Sequence, residues 1–156
     1  METSLQNRMQ HQTAALEHLL YGLDEAGLAQ RPDKDKWSIL ENLAHLGRYH
    51  ELFKERMHRI LNEEHPHFTR YVADTDEEFI NWCKYEPAAL LQRFHETRKN
   101  LNDFLFSLNN TQLKRTGHHP VFGMMSINGW TEFFLLHEAH HYFTILKLTP
   151  QLGGTD

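Results

Sequence analysis

The sequence predicts an all-α protein, a four-helix bundle with long connections, and three observations carry that prediction. Apolar residues recur at helical intervals over four separate stretches of the 156 residues. Glycine and proline cluster between those stretches rather than inside them. No alternating apolar and polar run is long enough to build a sheet, and neither an internal repeat nor a low-complexity tract breaks the pattern. A chain of this length is expected to form one domain, residues 1–156.

Leu5, Met9, Leu16, Leu19 and Leu23 share one face and predict a first helix. Gly22, Gly27 and Pro32 end that pattern. Ser38, with Glu41 three residues later, is a capping box at the head of a long second helix. Its stripe is Ile39, Leu43, Leu46, Phe53, Met57 and Ile60, and it stops before Pro66. Thr75 and Glu78 offer a second capping box for a short helix. The connection holding that box is long enough to cross the bundle, which would make the second and third helices parallel. Pro87 suits the first turn of the third helix, whose stripe runs Leu90, Phe94, Leu101, Leu105, Leu108 until Asn109 and Asn110 end it. The stretch TGHHPVFG, residues 116–123, reads as an irregular loop. The fourth helix opens at Ser126 or at Asn128. Its seam is Ile127, Trp130, Phe134, His137, His141, Ile145 (or Thr144) and Leu148, and residues 148–156 are expected to stop it and fray.

Composition excludes several function classes. The formal charge of −5, from 16 Lys and Arg against 21 Asp and Glu, comes with no basic run, which argues against nucleic acid as a partner. No stretch has about 18 uninterrupted apolar residues, so no membrane span is expected. The first residues lack the apolar core of a signal peptide. Cys83 is the single cysteine, so neither an internal disulfide nor a thiolate cluster can form; a small buried cysteine with no catalytic role is expected. These features together suit a cytoplasmic protein with a small-molecule substrate.

Histidine is the outlier, at 13 residues. About half of exposed imidazoles are protonated near pH 6.5, so formal charge says little about partners here. His137 and His141 lie four apart on one helix face, close enough to ligate one cation. At this histidine density about one such pair arises by chance, so the spacing alone decides nothing. Their placement on the core seam adds weight, because an unpartnered buried imidazole costs on the order of 1–3 kcal/mol. Two core histidines satisfied by hydrogen bonds would fit equally well. A third ligand must come from another helix, and His45 and His50 on the second helix compete for that place. Three imidazoles leave coordination positions for water or substrate, suit Zn, Ni or Fe, and should lose the metal as pH falls through about 6. HEAHH also matches a zinc-protease motif with Glu138 as general base. Those enzymes need a further ligand downstream, and only Asp156 follows as a carboxylate. Glu138 also sits about 100° around the helix from His137, an orientation suited to the surface.

KWSILENLAHLGRYH (36–50), RTGHHPVFG (115–123) and HEAHHYFTI (137–145), in this order, resemble the DinB/YfiT-like superfamily and in particular its DinB-domain branch. The resemblance covers nearly the whole chain. It implies up-down-down-up topology and a divalent-metal site whose ligands fall by motif on His45, His137 and His141, which selects His45 over His50. Family members often carry Gln three residues after the last histidine, where this chain has Thr144. Related bundles often form dimers, so a homodimer is within what the resemblance allows.

Relatives include S-transferases that use low-molecular-weight thiols such as bacillithiol, and many others labelled only as metal-dependent hydrolases. The resemblance therefore implies a metal-dependent thiol S-transferase acting on small electrophiles, with a metal-bound thiolate or water as the attacking group. Hydrolysis by metal-bound water and a non-catalytic metal-binding stress protein are the alternatives. Glu138 is the secondary candidate for a general base. Glu41, one turn before His45, could orient its imidazole if its capping duty allowed. Tyr49, His118 and His119 are the candidate pocket residues, the histidines lying in the loop expected over the pocket mouth.

Overall fold

The computed structural model describes residues 1–149. Its order is α1 (Thr3–His11), α2 (Ala14–Leu20), α3 (Glu25–Ala29), α4 (Ile39–Asn62), a 3₁₀ turn at Ala73–Thr75, α5 (Glu77–Trp82), α6 (Pro87–Phe106), α7 (Asn110–Leu113), β1 (Thr116–His119), β2 (Gly123–Ser126) and α8 (Ile127–Leu148). The four rods of the bundle are α1 with α2, α4, α6 and α8. Their contacts fix the directions. His50 meets Thr97 and His58 meets Phe104, so α4 and α6 run parallel. His45 lies against His141 while Phe53 lies against Phe134, so α4 and α8 are antiparallel. Arg8 bonds Glu132 and Gln12 bonds the Leu135 carbonyl, so the first rod follows α8. The topology is up-down-down-up.

The parallel pair requires the connection at residues 63–86 to cross the bundle, and α5 fastens it to α4. Trp82 donates to Glu51 at 3.2 Å, and Asp76 accepts from Arg48 at 2.8 Å. Gly47 makes the approach feasible, since a Cβ there would stand 2.2 Å from a Trp82 ring carbon. Two apolar clusters form the core. Along α8 the first takes Ile127, Trp130, Phe134 and Leu135, and the second takes Tyr142 and Ile145. His137 to His141 fall between them, in a polar layer.

The Ser38 capping box forms, with Ser38 Oγ accepting from the Glu41 amide at 3.2 Å and the Glu41 carboxylate accepting from the Ser38 amide at 2.8 Å. Ser126, not Asn128, caps α8. Four local expectations differ. The first helix breaks after His11, where the Gln12 side-chain amide donates to both the Leu135 carbonyl and the Glu138 carboxylate. Asp76 rather than Thr75 caps α5, because its carboxylate takes the Glu78 amide along with Arg48 and Tyr71. The third helix ends at Phe106, leaving Asn109 to cap α7. Residues 116–126 form a hairpin, paired Thr116↔Ser126 through His119↔Gly123, with Gly123 at φ +71 closing a three-residue turn. Four-residue strands containing Gly, His and Ser carry no readable alternation. Cys83 is exposed rather than buried. The expected fraying beyond Thr149 lies outside the described residues. No helix among the described residues is long and apolar enough to cross a membrane.

Candidate metal centre

The antiparallel packing of α4 on α8 brings His45 to His137 and His141. One ring nitrogen from each lies within 4.8 Å of the others. The His45 and His137 Nε2 atoms are 3.1 Å apart. Asn42 sets the third ring: its amide donates to the Ser38 carbonyl at 2.8 Å, and its oxygen faces His141 Nδ1 at 2.9 Å. His141 Nδ1 therefore carries the proton, and Nε2 keeps its lone pair for the cluster. Burial, reinforced by the neighbouring imidazoles, pushes His45 down to about 2 and His141 to about 3, and burial pushes His137 to about 4. All three are neutral at pH 7, the state in which imidazole ligates a metal. His45 Nδ1 and His137 Nδ1 are buried without a partner among the described residues. Convergent neutral nitrogens in an apolar setting fit a divalent cation of borderline softness.

An aromatic wall surrounds the cluster. Trp37 lies 5.0 Å from His45 between ring centroids, Tyr71 5.7 Å from His45, and Tyr49 4.4 Å from His137. His45 and His137 open onto a cavity of about 530 Å³, lined also by Tyr49, Arg56, Tyr71, His119, Phe122 and Phe133. Tyr49 and His119 thus lie where the sequence suggests. His119 Nδ1 accepts the Val121 and Phe122 amides at 3.1 and 3.2 Å, which ties the hairpin turn to the cavity wall. His118 stacks on His67 at 4.5 Å and does not line the cavity.

Three carboxyl and imidazole candidates are committed elsewhere. Glu138 is fully buried, not on the surface, and does not line the cavity. Arg98 donates to it at 2.9 and 3.2 Å, Gln12 at 2.8 Å, and His50 lies 3.4 Å away. Burial alone would raise its pKa, but Arg98 and His50 outweigh burial and hold it at about 2. His50 bonds Thr97 on its other side and so lies outside the trio. Glu41 is occupied by Ser38 and Arg31 and makes no bond to His45. Thr144 donates to the His140 carbonyl at 3.1 Å. Although Cys83 is exposed, desolvation by its neighbours, with the Glu41 charge, raises its thiol to about 11, a poor nucleophile.

Sequence reasoning missed Asn42, Arg56, Trp37 and Tyr71. Asn42 had a signal, one turn before His45 on the same face; Arg56 on α4 and Tyr71 on the crossover line the cavity, while Trp37, just before α4, packs on His45.

A family model described as DinB superfamily matches residues 8–145. The uncharacterized protein YuaE of Bacillus subtilis (strain 168) is 28% identical over 145 residues, covering 85% of this chain and 90% of that protein. Among solved structures, YfiT from Bacillus subtilis superposes with a TM-score of 0.75 at 19% identity, over 97% of this chain and 87% of that one. YfiT is described as a probable metal-dependent hydrolase with an unusual four-helix bundle topology. That likeness establishes the shared fold.

Proposed function

The chain belongs to the DinB superfamily, and on that premise we propose that it is a divalent-metal-dependent enzyme, a thiol S-transferase acting on a small electrophile. The observation that carries the reading is the trio of neutral imidazoles, His45, His137 and His141, two of which, His45 and His137, line a cavity of about 530 Å³. A divalent cation held there supplies the Lewis acidity that ionises a thiol or a water near neutral pH. Asn42 holds the His141 ring in its ligating orientation through one hydrogen bond, itself anchored at the head of α4. Trp37, Tyr49 and Tyr71 exclude water around the imidazoles and present flat apolar faces to an incoming molecule.

Transfer to a thiol is favoured over hydrolysis by one feature. Among the described residues no carboxylate lines the cavity, so none is placed to take a proton from an attacking water. Hydrolysis remains the second reading because YfiT is described that way. The test is metal analysis of protein purified without a His-affinity step. It is followed by a screen of low-molecular-weight thiols with an arylating electrophile, run beside ester and amide hydrolysis. Metal-dependent loss of thiol supports the transferase, and hydrolysis without thiol consumption replaces it with the second reading. Protein that binds no divalent metal overturns both.

A further inference from the structure

The cavity wall carries charge that a three-histidine centre does not need. Arg56 on α4 and Arg70 on the crossover segment line the cavity, and among the described residues no acid does. That excess of positive charge stands in a chain whose formal charge is −5. Arg56 is only 8% exposed. Its guanidinium rests over the rings of Phe68, Trp130 and Tyr49 at 5.6, 5.9 and 6.0 Å. Nη2 donates to the Thr69 carbonyl at 3.0 Å, and Nη1 makes a long contact of 3.5 Å with the Tyr49 hydroxyl. Among the described residues, Nε–H and the second hydrogen on each terminal nitrogen have no partner. No carboxylate among the described residues lies within 4.0 Å of Arg56. The other buried arginine shows what completion looks like, since Arg98 meets Glu138 with two hydrogen bonds.

A guanidinium taken out of water is stabilised most by a planar oxyanion that matches its fork. Aromatic faces and one carbonyl supply part of that, and an anion is the missing part. We propose that the cavity takes a small molecule bearing a carboxylate or phosphate. Arg56 anchors the oxyanion, Arg70 attracts it at the mouth, and the remainder of the molecule reaches toward His45 and His137. Arg56 is thus a specificity-determining residue that selects acidic substrates or co-substrates. The proposal rests on reading the cavity as the substrate pocket, but the oxyanion site belongs to the chain itself and is present without metal.

The experiment uses the full chain after chelation and dialysis. Malonate and inorganic phosphate are titrated separately, with acetamide as the uncharged control, by calorimetry and by the arginine Nε–Hε resonances. One oxyanion per chain is expected with a Kd on the order of a few mM, together with a shift of the Arg56 resonance. The tighter of the two arms identifies carboxylate or phosphate as the preferred group. Arg56→Met should weaken binding by about tenfold or more, and Arg70→Gln by about threefold with a shallower salt dependence. If Arg56 only pins the Thr69 segment, Arg56→Met lowers the melting temperature and leaves oxyanion affinity unchanged, which overturns the proposal. Should that variant fail to fold, the wild-type resonance decides: an Arg56 signal unmoved at saturating malonate and phosphate is equally fatal. Because metal is absent throughout, failure here leaves the metal-enzyme reading standing, and failure to bind metal leaves this result intact.

Discussion

Lowering the pH of the metal-free protein should unfold it in a range where most proteins are stable. In the unfolded chain His45, His137 and His141 take up protons as pH falls through about 6.5. In the folded chain burial keeps them neutral until about 2, 4 and 3 respectively. Between those limits the unfolded state binds more protons, so stability present above about 6.5 is lost as pH falls. Each imidazole contributes about 2 kcal/mol of loss by pH 5, and the three together up to about 6 kcal/mol. That is comparable to the whole stability of an ordinary domain. Glu138, held at about 2, adds its own loss only below about 4.5, so the window above belongs to histidine. Urea unfolding followed by circular dichroism, in steps from about pH 7.5 to about pH 5, measures the slope. A metal-free protein whose stability is flat over that range would refute the picture of three buried neutral imidazoles. Bound metal should flatten the slope, because ligated nitrogens are closed to protons and the ligand favours the folded state. In the folded chain, proton competition for the metal then begins near pH 4 rather than near pH 6, as unperturbed imidazoles would have it.

Replacing any of His45, His137 or His141 by Ala should abolish stoichiometric metal by elemental analysis. Asn42→Ala, which frees the His141 ring, should weaken metal affinity about 10–100-fold. His50→Ala should keep its metal, and the opposite pattern would move the third ligand to His50. Glu138→Gln should cost about 3–5 kcal/mol in denaturant unfolding, since it leaves the Arg98 charge buried and unpaired. Its metal content should be unchanged, and a loss of metal in that variant would place Glu138 at the centre. Gly47→Ala should lower stability by about 1–3 kcal/mol through collision with Trp82, measured as a fall in melting temperature.

By itself the sequence determined the rods and their order. The stripe from Ile39 to Ile60 and the Ser38–Glu41 box depend only on neighbours within a few residues, and both form as read. The pairing of His137 with His141 was legible for the same reason, since four residues is one helical turn. Tertiary structure decided what those rods bring together. His45 and His50 both lie on the buried face of α4, and no periodicity separates them. Only the antiparallel docking of α8 delivers His45 to the imidazoles and His50 to Glu138. Glu138 shows the limit most sharply. A helix packed on two sides has no solvent face where a surface pattern would put one, so a carboxylate about 100° from His137 points into a second interface instead. Arg56 came from the same cause, because whether a buried cation meets an acid depends on elements distant in sequence. Local physics writes the helices, and long-range packing assigns their polar side chains to partners.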